Sequence, residues 1–359
     1  MVSRWRVIAG TIVLALAAVA NGANAQSPTL TVSGVGYLQY GYQLHQDSTM
    51  TPPGHQNNFD ITRAYVNVIG KFPAGLMTRV TVDLDGRKAA PNQQTIRLKY
   101  AYGAYTPENS PLTYMLGLLH TSLLDWEEAL WDFRMQGQMA MERGGYVSSS
   151  DFGAGIDGNF GYEKFDMQLA VVNGENYSGA PGDSRKDVMG RLSYKLVNSD
   201  LPGRVGGLRI TAYGQYGKPT TGGQRERYLG MLSYKSKVAT LAAEYAMTKD
   251  STAGNGAGGT IAAKPYVKGQ IVSAYGVYWF NPKWSILGRF DLTDPNTDSA
   301  AKNDQVTRVI GGIAFQLHEH LRLLADVDYA KLQGGNETNA FRTAAATGST
   351  AYLQAQITY

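Results

Sequence analysis

The chain contains segments in which apolar and polar side chains alternate for longer than an ordinary strand. From Leu30 to Tyr42, every second residue is apolar or glycine, and threonine, serine, tyrosine and glutamine lie between them. A period of two indicates a β-strand with two unlike faces. Strands of globular proteins have about 5–6 residues, whereas a membrane-crossing strand needs about 9–11. The length of the alternation therefore predicts strands that cross a lipid bilayer.

The same alternation recurs along the chain and assigns each residue to one of two faces. Further alternating segments begin at Leu76, Ile96, Val188, Trp284 and Ala351. In the segment from Ile96, the pattern places Tyr100 and Tyr102 on the apolar face and Arg97 and Lys99 on the opposite face. In a membrane barrel, the apolar face contacts lipid and the polar face lines the interior.

The connections between these segments alternate between short and long. Short ones lie near residues 73–75, 107–111, 161–164, 197–205, 236–237, 281–283 and 318–320. Long ones lie near residues 44–58, 86–94, 120–150, 173–185, 217–223, 248–266, 294–304 and 332–349. Seven turns and eight loops join sixteen strands, and this arrangement is typical of outer-membrane barrels. We predict an all-β fold, a transmembrane antiparallel β-barrel of about 16 strands.

The N-terminus predicts an export signal. Two arginines precede an uncharged apolar stretch over residues 7–20, and residues 23–25 (Ala-Asn-Ala) suit a cleavage site. We expect residues 1–25 to be removed and residues 26–359 to form one barrel domain. That domain has about 21 residues per strand and connection, which leaves no length for a plug. A membrane anchor is the alternative, but it needs about 20 apolar residues.

Composition excludes several other classes of protein. The chain has no cysteine, which excludes a disulfide scaffold and a thiolate metal site. Its net charge is +4, two units of which come from the arginines of the leader, so nucleic acid is not expected as a partner. Two patterns resemble metal sites, residues 318–320 (His-Glu-His) and residues 294–298, and both favour plain polar turns. We expect no metal, no cofactor and no catalytic residue.

The inward faces carry more basic than acidic side chains. Fourteen basic and seven acidic residues fall on inward positions, and Lys268 belongs to the basic set. Charged side chains that line a pore select ions through the local potential, so this wall favours anions. The candidate pore-lining basic residues are Arg63, Arg79, Arg97, Lys99, Arg191, Arg209, Arg289, Arg308 and Arg322.

The connection over residues 120–150 is the longest and has a helical pattern. Leu123, Trp126, Leu130 and Phe133 recur at helical spacing after a Ser/Thr cap. An amphipathic loop can fold into a barrel and narrow it, so we predict an inward-folded third loop; an exposed lid is the alternative. The candidate constriction residues are Asp125, Glu127, Glu128, Asp132, Arg134, Glu142 and Arg143.

The charges of this loop oppose those of the wall. Five acidic and two basic residues give the loop a net charge of −3. An acidic loop that faces a basic wall sets up a transverse field, which weakens a pure preference for anions. Glu142 and Arg143 are expected to form an ion pair that fixes the constriction, or else a surface pair.

Several short motifs follow one another at the spacing of a known family. They are residues 59–65 (Phe-Asp-Ile-Thr-Arg-Ala-Tyr) with Gly70, residues 82–85, residues 117–120, residues 141–143 (Met-Glu-Arg), residues 171–174 and residues 186–192. In this order they resemble the phosphate-selective porin O/P family of Gram-negative outer membranes. The resemblance implies a trimeric 16-stranded porin with its third loop inside, which transports anions and prefers phosphate or polyphosphate.

These observations predict a function in transport. We expect an outer-membrane porin, exported through the periplasm, that forms a water-filled channel for passive diffusion of small hydrophilic solutes and ions. Its partners are outer-membrane lipid, small anionic or polar solutes and, by the family resemblance, two further copies of the chain. The alternative is a barrel enzyme such as a lipase, which needs a histidine paired with serine or asparagine on the outer wall.

Overall fold

A computed structural model describes residues 28–46, 55–90, 93–177, 179, 184–218, 224–251, 266–297, 304–333 and 347–359. The proposed leader lies outside the described residues. The described residues form sixteen strands in one closed antiparallel barrel, in which each strand pairs with its sequence neighbours and β1 pairs with β16. The sixteen-strand barrel predicted from the sequence is confirmed.

The strands have the lengths that the alternation predicts. The first eight are β1 (Thr29–Gln46), β2 (Asn57–Lys71), β3 (Leu76–Ala90), β4 (Gln93–Tyr105), β5 (Leu112–His120), β6 (Ser150–Phe160), β7 (Phe165–Val172) and β8 (Asp187–Val197). The last eight are β9 (Gly207–Gly217), β10 (Arg225–Lys235), β11 (Ala239–Asp250), β12 (Val267–Trp279), β13 (Trp284–Asp294), β14 (Val306–His318), β15 (Leu321–Leu332) and β16 (Gly348–Thr358). A one-turn 3-10 helix, Pro73–Gly75, joins β2 to β3.

The alternation separates an apolar outer face from a polar interior. On β8, Val188 and Leu192 are exposed on the outside, while Met189 and Arg191 are buried inside. The outward side chains face lipid at no cost, because in a closed sheet every backbone group within the membrane is paired. Along such a strand, side chains of one parity face the lumen and those of the other parity face outward.

Two sequence assignments of face are wrong. Tyr100 and Tyr102 are buried inside the barrel, because Lys99 is an extra residue between the pairs Thr81–Tyr100 and Val82–Leu98. A β-bulge of this kind shifts the alternation by one position.

Lys268 is the second error, because it lies on the outer face. In β12, the inward positions are Ile271 and Tyr275, whereas Val272 is exposed on the outside at the same parity as Lys268. At the strand end, a lysine on the lipid side can extend its ammonium group into water.

The third loop, residues 121–149 between β5 and β6, folds into the barrel. It contains helix α1 (Ser122–Leu130), a 3-10 turn (Arg134–Gln136) and helix α2 (Ala140–Arg143). Helix α1 contacts β7 and β8, the 3-10 turn contacts β16, and α2 contacts β12. Within the described residues, no helix has the length and apolar character needed to cross a membrane. The loop is the inward-folded segment predicted from its helical pattern.

Candidate functional site: the constriction formed by the third loop

Aromatic side chains anchor the middle of the third loop to the wall. Trp131 meets the ring of Tyr275 edge-on at 5.1 Å between ring centroids, and Phe133 stacks on Trp279 at 6.1 Å. The guanidinium of Arg322 lies 5.1 Å from the centroids of both Phe133 and Trp279. Buried aromatic pairs and cation–π contacts stabilise a docked segment beyond their buried area.

Three arginines surround the indole of Trp126, which is fully buried on α1. The guanidinium carbons of Arg191, Arg209 and Arg204 lie 4.3, 5.7 and 6.0 Å from its ring centroid. Arg191 also donates to the backbone oxygen of Ser122 at 3.1 Å. These cations therefore fix the first turn of α1 against β8 and β9.

Other wall cations hold the backbone of the loop. Lys235 donates to the carbonyl oxygens of Ala129 and Leu130, both at 2.9 Å, and to the Asp132 carboxylate at 2.7 Å. Arg322 donates to the Asp132 carbonyl oxygen at 2.9 Å. These carbonyls lie at and beyond the C-terminus of α1, where a cation also opposes the negative end of the helix dipole.

Glu142 and Arg143 do not pair with each other as the sequence analysis expected. Glu142 accepts two bonds from Arg134, at 2.6 and 2.8 Å, and Arg143 donates to Asp291 on β13 at 3.1 Å. Consecutive residues on a helix point in directions about 100° apart, so each meets a different neighbour. Arg134 also donates to Glu128 at 3.1 Å.

Arg289 is a second cation, after Arg143, that meets the Asp291 carboxylate on β13. Arg289 Nε donates to Asp291 at 2.9 Å, and Arg289 Nη2 lies 2.8 Å from the other carboxylate oxygen as an ion pair. Arg289 Nη1 donates to the carbonyl oxygen of Gln138 at 2.9 Å. Because only 3% of Arg289 is exposed, this network lies beneath the third loop rather than in open water.

Two carboxyl groups meet without a cation between them. Glu127 on α1 and Glu244 on β11 are 0% and 4% exposed, and none of their four carboxyl oxygens has a hydrogen-bond partner among the described groups. Burial, and after it the Glu244 carboxylate, raises the pKa of Glu127 well above its ordinary value. Two buried carboxylates so placed favour a shared proton over two charges.

Asp125, by contrast, faces cations. Burial alone would raise the pKa of this carboxyl, but the charges of His120 and Arg204 lower it below its ordinary range. Arg204 contacts the carboxylate at 2.5 Å and donates to the Asp125 carbonyl oxygen at 3.1 Å. Asp125 therefore stays ionised at the edge of the constriction.

Strands β2–β4 carry inward arginines that remain partly exposed. Arg63 and Arg97 both donate to Asp83, at 3.1 and 3.0 Å, and remain partly exposed. Arg79 donates to Asn67 at 3.1 Å and lies over the ring of Tyr100 at 4.5 Å. We call the inward side of β2–β4 the open wall.

Lys99 is the buried member of the open wall. The bulge turns its ammonium group toward Tyr65, whose hydroxyl oxygen accepts a bond at 3.1 Å, and Glu128 lies 4.0 Å away. Lys99 and Glu128 thus mark where the acidic face of α1 approaches the basic side of the barrel.

Eight of the nine predicted wall residues fall into two groups. Arg63, Arg79, Arg97 and Lys99 lie on the open wall. Arg191, Arg209, Arg289 and Arg322 lie on the side that the third loop contacts, from β7 to β16, which we call the covered wall. Arg308 pairs with Asp328 on the neighbouring strand at 2.6 Å.

The sequence places Asp166 and Glu244 among the seven inward acids but does not show their partners or the role of one turn. Asp166 pairs with Arg191, and Glu244 meets Glu127. Arg204 lies in a short turn and yet binds the third loop. The sequence indicates only that Asp166 and Glu244 lie on inward-facing positions. Their partners could not be predicted, because they are distant in sequence.

The histidines provide no catalytic arrangement on the outer wall in the described residues. His120 is buried inside the barrel, 3.5 Å from Asp157, and His318 and His320 are exposed at a short turn with ring centroids 5.6 Å apart. No cluster of three His, Cys, Asp or Glu suited to a metal occurs in the described part of the chain. Residue 298, in the second metal-like pattern, lies outside that part.

Comparison with solved structures identifies the class of fold. No family model matches the chain, and no curated protein matches it. The chain superposes on the anion-selective porin from Comamonas acidovorans with a TM-score of 0.64 and 11% identity, over 93% of this chain and 100% of that chain.

Two further matches agree. OmpF of Salmonella typhi, in complex with daunomycin, gives a TM-score of 0.66 and 13% identity over 92% of this chain and 97% of that chain. In-vitro folded OmpT of Vibrio cholerae, in its trimer form, gives a TM-score of 0.63 and 10% identity over 93% of this chain and 100% of that chain. The protein has the barrel fold of outer-membrane porins.

Proposed function

We propose that this protein is an outer-membrane porin, a water-filled channel for passive diffusion of small hydrophilic solutes and ions. The observation that carries the proposal is a closed sixteen-strand barrel with an apolar outside, a charged inside and a loop that narrows it. Side chains cannot fill a sixteen-strand barrel, so a passage beside the loop is expected.

The open wall supports a preference for anions. Arg63, Arg79, Arg97 and Lys99 lie along one side of the lumen, where Asp83 is the acidic side chain that meets two of them. Arg79 bonds only neutral groups among the described side chains, so its charge remains available to a passing anion. The acidic face of α1 opposes this side and moderates the preference.

Phosphate is the particular anion that the family resemblance suggests. Arginine binds phosphate through paired N–H donors, and the partly exposed Arg63, Arg79 and Arg97 all lie on the open wall. If phosphate binds there, added phosphate reduces single-channel chloride current in a saturable way. Chloride current that is indifferent to phosphate contradicts the phosphate preference and leaves the channel function intact.

The export signal, the cellular location and the oligomeric state form part of the same proposal. Residues 1–25 are a cleaved export signal, the chain reaches the outer membrane through the periplasm, and residues 26–359 assemble as a homotrimer. The trimer form of the Vibrio cholerae neighbour supports the last point. A monomeric mass in mild detergent contradicts it.

The channel is tested by reconstitution in a planar bilayer. We expect discrete steps of ohmic current when the purified, detergent-solubilised chain is added. An inserted, folded barrel without conductance overturns the channel function. Lipid hydrolysis by the same preparation would instead support the barrel enzyme, a function that no arrangement among the described residues favours.

A further inference from the structure

The outer surface of the barrel carries a basic patch at the loop end of strands β8–β12. Lys249 on β11 and Lys268 on β12 are paired directly across the two strands. Lys249 lies on the same outward face of β11 as Met247, and Lys268 on the same outward face of β12 as Val272. Lys186 directly precedes β8 and Lys218 directly follows β9, both at the loop end, and both are exposed as well. We call these four residues the lysine rim.

Two like charges directly opposite each other on a sheet repel, so this pairing calls for a compensating anion. Glu226 on β10 supplies one carboxylate, 3.1 Å from the Lys249 ammonium nitrogen. Asp294, the nearest acid on β13, is buried and accepts bonds from Gln270 and Gln305 instead. Within the described residues, one carboxylate therefore meets the two ammonium groups of the Lys249–Lys268 pair.

Tyrosines place the lysine rim at the edge of the lipid-facing band. The outward rings of Tyr216, Tyr228 and Tyr245 are exposed on β9, β10 and β11. Tyr216 pairs with Glu226, the residue opposite Lys249, and Tyr228 and Tyr245 lie two and four residue pairs from that level, toward the turn end. The Tyr266 ring lies 4.7 Å from the Lys249 nitrogen and 6.0 Å from that of Lys268. An aromatic belt of this kind sits at the level of lipid headgroups.

The described outer face of the opposite side lacks such cations at this end. The outward residues near the loop ends of β1, β2, β4 and β6 are Leu44, Phe59, Ile96 and Phe152, all exposed and apolar. On β15, Lys331 is a further exposed lysine on the outward face at this end. Among the described strand pairings, Lys249 with Lys268 is the pair in which two lysines face each other directly, and this pair indicates a defined binding surface.

We propose that the lysine rim binds the phosphate of lipid headgroups in the leaflet at the loop end of the barrel. Lys249 and Lys268 hold the phosphate between them, and Tyr266 lies against the headgroup. The inference rests on the proposed placement of the barrel in a membrane, but it does not depend on conduction. The rim residues lie outside the lumen, so they do not touch the solute path.

Binding is tested with the full chain in an uncharged detergent, with phosphatidic acid as the probe. Diacylglycerol with the same acyl chains is the phosphate-free control lipid. The variant Lys249→Gln/Lys268→Gln removes the central pair. The matched control variant, Lys237→Gln/Lys283→Gln, removes two exposed lysines from the turn end of the same strands.

We expect wild type to bind phosphatidic acid and not diacylglycerol. Each lysine near an anionic lipid surface strengthens binding roughly fivefold, so the double rim variant should bind roughly 25-fold more weakly. The turn-end variant should bind like wild type. Equal binding by the rim variant, or equal binding of diacylglycerol, overturns the proposal.

Two further measurements separate the sources of phosphate and the two functions. Inorganic phosphate at the same concentration should not displace the lipid, and displacement would overturn the assignment to lipid. Single-channel conductance of the rim variant should equal that of wild type, which shows that the variant is folded. A chain that binds phosphatidic acid without conducting supports the lysine rim and overturns only the channel.

Discussion

The covered wall and the open wall use the same residue type for different purposes. Arg191, Arg209 and Arg289 on the covered wall are at most 3% exposed and bind the third loop or its neighbouring turns. Arg63 and Arg97 on the open wall retain contact with water. An inward arginine is therefore a pore residue only where the third loop leaves it uncovered.

The largest expected effect comes from the covered wall. In Arg289→Met, Asp291 loses one hydrogen bond and one ion-pair contact, and the Gln138 carbonyl loses its donor. Removal of one partner from a buried ion pair costs about 3–5 kcal/mol, so thermal unfolding in detergent should occur at a markedly lower temperature. Arg79→Met on the open wall is the control and should change stability little. Equal losses in the two variants would contradict the division of the wall.

A smaller effect concerns pH and the pair of Glu127 and Glu244. Because the pKa of Glu127 is raised in the folded protein, the folded state holds a proton that the unfolded chain releases. The contribution to stability is complete below the ordinary pKa of glutamate, about 4.3, and falls as the pH rises above it.

The variant Glu127→Gln tests the direction of this pH dependence of stability. Wild type should lose unfolding free energy between pH 4 and pH 8, by at most about 1.4 kcal/mol per pH unit for one proton. The variant should show a flatter dependence, whereas Glu128→Gln should keep the slope of wild type. A Glu127→Gln slope equal to that of wild type would show that the two carboxyl groups do not share a proton.

The open wall should set ion selectivity. A unit charge about 10 Å away in water is worth about 0.4 kcal/mol, with opposite signs for chloride and potassium, so Arg79→Gln should lower the ratio of chloride to potassium permeability about fourfold. Arg209→Gln on the covered wall is the comparison, with no change expected in this ratio. A larger effect of Arg209 than of Arg79 would place the passage on the other side of the loop.

The smallest effect on ion selectivity is expected from substitutions of the acidic residues of the third loop. Glu128 is partly exposed but lies near Arg134 and Lys99, so Glu128→Gln should raise anion preference by less than twofold. Glu127→Gln should leave selectivity unchanged, because Glu127 is fully buried. Reversal potentials measured for both variants in one salt gradient make the comparison.

Much of the fold follows from the sequence alone, because the period of two and the alternation of turns and loops are local properties. Strand number, the outer face and the helix near Leu123 and Leu130 were all predictable in this way. The bulge at Lys99 was not, because a single extra residue leaves no mark on the local pattern. It shows only in the pairing of β3 with β4.

The candidate site was predictable as a set of residues but not as an arrangement. The sequence shows that the third loop is acidic and the wall basic, yet Arg143 meets Asp291 on β13 and Asp125 meets Arg204 in a short turn. Each partner is far away in sequence. Which cations the loop buries depends on the direction it takes across the lumen, and tertiary packing decides that direction.

The most direct test of the account is the reversal potential of the wild-type channel in a potassium chloride gradient. A passage along the open wall predicts a potential displaced toward the chloride equilibrium value, by a moderate amount because Asp125 and Glu128 oppose the cations. A potential close to the potassium equilibrium value would contradict this passage and place the conducting path along the acidic face of the third loop.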